Sequence, residues 1–168
     1  MLSRLGAAIQ RSDSVIVLTV SSEALRDIED RADCERLVRE FYGKAMDDEL
    51  IGWIFTDIAH LDLDEHVPVV TSFWETVLLG NKSYYGGAFG VHARLHEKAG
   101  LKKAHFERWL ILWCRTVDEL FDGERAAAAK VHGLRVANAF HGRLASYPEP
   151  DHAAAKLAVQ QVEPSEPR

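Results

Sequence analysis

Gly86-Gly87-Ala88-Phe89-Gly90-Val91-His92-Ala93-Arg94-Leu95 is the stretch on which the reading of this chain turns. Its glycines break regular structure, and His92 then opens a short helical segment. A tryptophan-bearing run, His105-Phe106-Glu107-Arg108-Trp109-Leu110, follows it. A histidine in such a setting is ordinarily a surface or loop residue. It acquires chemical meaning only if aromatic and histidine residues elsewhere stand at spacings that would gather them around the same pocket.

Composition narrows the classes first. The chain has 168 residues, 47% of them apolar, enough for one domain with a real core. Its net charge is −6, and the basic residues are scattered rather than striped, so nucleic acid is not an expected partner. No apolar run approaches the roughly 20 residues that span a bilayer, and the N-terminus lacks the features of a signal peptide. Cys34 and Cys114 form no CxxC and read as thiols of a reducing compartment. The expected location is the cytoplasm, as a monomer or weak dimer.

Along the chain, residues 1–21 form an extension of unknown structure. Its β-branched run Val15-Ile16-Val17-Leu18-Thr19-Val20 suits a strand or a docked extended arm and is assigned no function. From Ser21 or Ser22, with Ser22 as a candidate N-cap, the apolar residues Leu25, Ile28, Ala32, Leu37, Phe41 and Ala45 recur near the helical period. Asp30 to Asp33 marks a break in that stretch. A second helix starts at Asp62 to Asp64, tolerates Pro68 early, and stops at Gly80-Asn81. Residues 103–121 carry the strongest amphipathic pattern, closed by Asp122-Gly123, and a last helix runs from Glu124 to Leu144 with Gly133 inside it. The ordered domain is expected over residues 22–147, all-α, with a disordered tail over 148–168.

Each candidate pocket residue has an ordinary reading beside the chemical one. Tyr42 lies at the edge of a buried stripe, either as a core tyrosine or as a phenol aimed into a cavity. Phe55 is either core packing or a flat wall for a planar ligand. His66 precedes Val70 by one helical turn, so both point the same way, yet a histidine early in a helix is commonly solvated. Trp109 sits in an apolar stripe, where a buried indole seeks an acceptor. Trp74 and Trp113 read as core. His96, His105, His132 and His141 are expected at the surface, and His60 and His152 in loop and tail. No zinc spacing, HExxH, P-loop, GxSxG or dinucleotide fingerprint is present, and the two Glu-x-x-His motifs that a di-iron bundle would need are not found.

Taken together and in order, these motifs resemble the third group of the truncated haemoglobins. The likeness covers about Leu37 to Phe140. It rests on Glu40-Phe41-Tyr42, Ile54-Phe55, His66, Ser72-Phe73-Trp74, Leu78-Leu79-Gly80, Tyr84, His92-x-x-Leu95 and His105-Phe106-x-x-Trp109-Leu110. It implies a shortened globin fold, two helix pairs in a two-over-two sandwich around haem b, with the proximal helix reduced to a loop and a short turn. On matching positions, His92 corresponds to the proximal iron ligand. Tyr42 and Trp109 match the distal hydrogen-bond donors, and His66 the distal histidine that gates entry. Val70 is the apolar distal contact, with Phe55 and Phe73 packing in the cofactor pocket. His96, one turn beyond His92, is the competing histidine, and its spacing to Trp74 and Trp109 fits less well.

The function that follows is binding of dioxygen, nitric oxide, carbon monoxide or cyanide. Two strong donors beside the ligand slow its release, which favours redox, nitric oxide or peroxide chemistry with a separate reductase over bulk oxygen transport. Nitric oxide dioxygenase or peroxidase-like activity fits that reading. The alternative, from another class, is a haem-free helical interaction or regulatory domain that keeps a globin-like core.

Overall fold

The computed structural model describes residues 6–12, 15–21 and 24–147. Strands β1 (Gly6–Ser12) and β2 (Val15–Ser21) pair antiparallel, Gly6 opposite Ser21 and Ser12 opposite Val15. The β-branched run of the extension is therefore the second strand of a hairpin. The expected tail over 148–168, with His152, lies outside the described residues.

Helix α1 is Arg31–Met46, so the expected start near Ser22 is corrected. Asp30 is the N-cap, and its side chain accepts the Asp33 amide while the Asp33 carboxylate reaches back to the Asp30 amide. That reciprocal box satisfies two of the amides that every helix start leaves without a partner. Arg26 forks onto Asp33 at 2.7 and 2.5 Å, which lets the carboxylate sit buried. Ile28 is fully buried although it precedes the helix, because the extended segment itself packs into the core.

After α1 the chain makes a π-helical turn, Ile54–Ile58, closed by the Ala59 amide on the Ile54 carbonyl at 2.9 Å. Helix α2 (Leu63–Leu79) begins at the N-cap Asp62 and ends at Gly80, whose φ of 77° is the left-handed geometry glycine accepts without strain. Helix α3 (Ala88–Ala99) follows the Gly86-Gly87 loop. His92 stands in its second turn, so the expectation of a loop and short turn gives way to a 12-residue helix. Helices α4 (Lys103–Leu120) and α5 (Glu124–Leu144) match the amphipathic runs and are joined through Gly123. There the Asp27 carboxylate accepts the Arg125 and Ala126 amides at 2.9 and 2.8 Å, capping α5 from a distant segment.

Helix α1 packs on α2 and α4 on α5, with α1 against α4 and α2 against α5 joining the two pairs. Between them Trp74 stacks on Trp113 at 4.2 Å and Trp109 on Trp113 at 5.7 Å, with the Phe41 ring edge-on to Trp109 and Trp113. Such contacts add about 0.5–1.5 kcal/mol each beyond area burial. Trp113 fits because Gly133 of α5 has no side chain, and its indole N–H donates to the Ala129 carbonyl at 3.0 Å. Trp74 and Trp113 are core, as expected from their place in the stripes. Among the described residues no helix is long and apolar enough to cross a membrane.

Candidate functional site

Beside that aromatic column lies a cavity of about 830 Å³. Tyr42, Phe55, His66, Val70, Phe73, His92 and Trp109, chosen from sequence on four helices and the π-turn, all line it. Its volume falls in the range of about 300–1,000 Å³ typical of small-molecule and cofactor pockets.

The period of α2 delivers His66, Val70 and Phe73 to one wall. Tyr42, from α1, meets that wall directly: its hydroxyl is 2.8 Å from Nε2 of His66, with the rings almost perpendicular. Burial raises the Tyr42 pKa, so the phenol keeps its proton. Burial also lowers the His66 pKa, and the nearby His92 adds to the effect. The pair is thus neutral. Phe55 packs edge-on to Tyr42 at 5.7 Å, held over the cavity by the π-turn, a distortion that often accompanies functional sites.

His92 enters from α3. Its Nδ1 donates to the Ala88 carbonyl at 2.8 Å, which puts the remaining lone pair on Nε2. Burial lowers its pKa, partly offset by that carbonyl, so the imidazole is held neutral. A ring whose tautomer is set by a backbone carbonyl is the form in which histidine ligates metals. Phe140 of α5 lies against it, ring centres 4.6 Å apart. Trp109 lines the cavity from α4, and among the described residues its indole N–H donates to no protein acceptor.

His96 is buried rather than exposed and does not line the cavity. Neither of its ring nitrogens has a hydrogen-bond partner among the described residues. The surface placement expected for it is therefore corrected, and only His92 of the two histidines reaches the pocket. His105, His132 and His141 are half-buried, and His105 lines the cavity. His60 is exposed at the rim, with a φ of 46° that is rare outside glycine.

Sequence reasoning passed over Phe89, Leu101, Phe106 and Phe140, which complete the apolar walls. It also gave Tyr84 no role, although its hydroxyl accepts the Ala88 amide at 3.0 Å. Among the described residues no group of three or more His, Cys, Asp or Glu side chains could hold a metal ion. A metal at His92 would have to bring its remaining ligands with it, as a macrocycle does.

No protein-family model matches the sequence, and no curated protein does. Among solved structures, the chain is similar to the group III truncated hemoglobin from Campylobacter jejuni, with a TM-score of 0.65 and 23% sequence identity. The match covers 74% of this chain and 98% of that one. The helices α1 to α5, their paired packing and that likeness together identify the architecture as a truncated globin fold.

Proposed function

We propose that the cavity takes haem b, with Nε2 of His92 as the protein's ligand to the iron, and that the protein binds small ligands such as dioxygen, nitric oxide, carbon monoxide or cyanide. When bound, the cofactor would supply an iron with an open coordination position and one-electron chemistry. The observation that carries the reading is His92 itself, neutral and fixed in its tautomer by Ala88, facing one apolar cavity shared with the Tyr42–His66 pair. The cofactor would be held without covalent attachment, because Cys34 and Cys114 offer no CxxCH arrangement.

The chain's own groups then act as follows. Phe55, Val70, Phe73 and the other apolar walls exclude water, which strengthens every polar contact inside. Trp109 presents an N–H that is unengaged among the described residues, and Tyr42 a phenol that burial keeps protonated. Each such donor stabilises a polar ligand by about 1 kcal/mol. His66 competes for the Tyr42 hydroxyl, so it regulates both entry and donor strength. This polarity favours redox, nitric oxide or peroxide chemistry, as a dioxygenase or peroxidase-like protein fed by a separate reductase, in the cytoplasm.

Titration of the purified full chain with hemin tests the proposal. A saturable Soret band at one equivalent is the expected result. Its absence would favour a haem-free helical interaction domain.

A further inference from the structure

The first turn of α3 has a helix start that cannot cap itself. Its N-cap is Gly87, with a φ of 98° and no side chain to offer the free amides of that turn. Tyr84 supplies the missing partner from upstream, its hydroxyl oxygen accepting the Ala88 amide at 3.0 Å. The carbonyl of the same Ala88 accepts the His92 Nδ1–H at 2.8 Å. Ala88 is therefore pinned on one side and used on the other to orient the imidazole.

Tyr84 is in turn held by α2. Its backbone amide donates to the Thr76 hydroxyl oxygen at 3.2 Å, and its ring packs edge-on to Phe73 at 5.3 Å. The loop before it is fastened to Glu75, a buried carboxylate that does not line the cavity. The Ser83 hydroxyl donates to Glu75 Oε2 at 2.8 Å, and the Asn81 amide to Oε1 at 3.1 Å. Arg31, in the first turn of α1, donates to Oε2 at 2.5 Å. A carboxylate buried at this cost is stable only because three donors converge on it. Asn81 and Ser83 tie the loop to α2 through Glu75, and Arg31 ties the same carboxylate to α1.

We infer that Glu75, anchored by Arg31, is a positioning residue for His92, acting through the 81–84 loop and the Tyr84 cap on α3. The inference deepens the haem reading, since it concerns the residue there taken as the iron ligand. Removing any link would loosen the first turn of α3 and let the His92 ring exchange its Nδ1–H bond for other orientations. The tautomer, rather than overall stability alone, carries the effect.

Nitrogen-15 NMR of the full haem-free chain at about pH 8, where imidazole is neutral, reads the His92 tautomer directly. Amide exchange at Ala88 and urea unfolding are measured on the same samples. In the natural chain the Nδ1–H tautomer dominates and the Ala88 amide is protected. Tyr84→Phe, which keeps the ring packing, should speed Ala88 exchange by about three- to tenfold, as expected for one lost hydrogen bond. It should also mix the two tautomers. Glu75→Gln and, as a milder variant should that one fail to fold, Ser83→Ala should move both readouts in the same direction. A merely structural Glu75 would lower the urea midpoint and leave the tautomer alone, which would overturn the proposal. An effect of Tyr84→Phe with none from Ser83→Ala or Glu75→Gln would overturn the role of Glu75. A parallel hemin titration keeps the two questions apart: if the natural chain takes no hemin, the haem reading falls while the tautomer result stands.

Discussion

The Tyr42 hydroxyl engages Nε2 of His66 at 2.8 Å inside the cavity, between two rings that burial keeps neutral. The phenol has one proton. Where Nε2 carries the lone pair, Tyr42 cannot donate to His66 and to a ligand at once. Where Nε2 carries the proton, it donates to the hydroxyl oxygen and leaves the phenol proton free for a ligand. In the first tautomer a ligand that takes the Tyr42 proton must displace His66.

His66→Ala removes that competitor from the cavity wall. Carbon monoxide should combine with the haem-loaded protein about fivefold faster, matching the loss of a bond worth about 1 kcal/mol. The ferric spin state should not change, because Pro68, within the same helix, stiffens the turn against the collapse that ligation by His66 would require. Flash photolysis gives the rate and electron paramagnetic resonance the spin state. Disappearance of a low-spin signal in the variant would make His66 a ligand instead of a gate.

Tyr42→Phe and Trp109→Phe should each speed dioxygen release by about fivefold, at about 1 kcal/mol per lost donor. The double variant should fall short of the product of the two, since both donors address one ligand. Displacement by carbon monoxide in a stopped-flow instrument measures the rates. Unchanged rates in both variants would mean that neither group reaches the ligand.

Much of this was readable before any coordinates, and the exceptions have physical causes. Asp62, Gly80 and Asp122-Gly123 punctuate the helices where capping chemistry says they should. The seven residues chosen for the pocket do line one cavity. Phe89, Phe106 and Phe140 were invisible as pocket residues because a cavity wall and a filled core share one sequence pattern. The π-turn at Ile54–Ile58 leaves no periodic signature, since five residues are too few to set a repeat. The early start expected for α1 arose from Ile28, whose burial comes from an extended segment. His96 misled because an isolated histidine offers no sequence mark of burial without partners.

That histidine separates two roles one helical turn apart. His92→Gly should abolish stable hemin retention, while His96→Ala retains it, because only His92 lines the cavity. His96→Leu should go further and raise stability by about 1 kcal/mol, as two unpartnered buried nitrogens give way to an apolar side chain. Hemin transfer to apomyoglobin and urea unfolding decide the matter. Loss of hemin from the His96 variants, with retention in His92→Gly, would reverse the assignment.

Gly133→Ala sets helix propensity against packing. Alanine gains about 1 kcal/mol over glycine inside a helix. Its Cβ, however, would stand 2.7 Å from Trp113 Cδ1 and 2.9 Å from Nε1, on a ring that is sandwiched by Trp74 and Trp109 and cannot yield. Overpacking of this kind costs about 1–3 kcal/mol, and the Trp113 bond to Ala129 would be strained as well. The net expectation is destabilisation by up to about 2 kcal/mol in urea unfolding. A stabilised variant would show that α5 shifts freely over the tryptophan column.

His66 and His92 also set a pH dependence whose sign can be worked out. Burial depresses both pKa values below the ordinary 6.5, with repulsion from His92 adding to the effect at His66 and the Ala88 carbonyl opposing it at His92. Below about 6.5 the unfolded chain therefore binds protons that the folded chain refuses. Stability from keeping these rings neutral is complete above about pH 6.5 and is lost as pH falls through the folded-state values. Urea midpoints of the haem-free chain should decline between about pH 7 and pH 5, a window well above the carboxylates, which titrate near 4. His66→Ala should make the decline shallower, and adding His92→Ala shallower still. A midpoint that stays level across that window in the natural chain would mean that the folded protein admits the protons, and that neither ring is held neutral in the cavity.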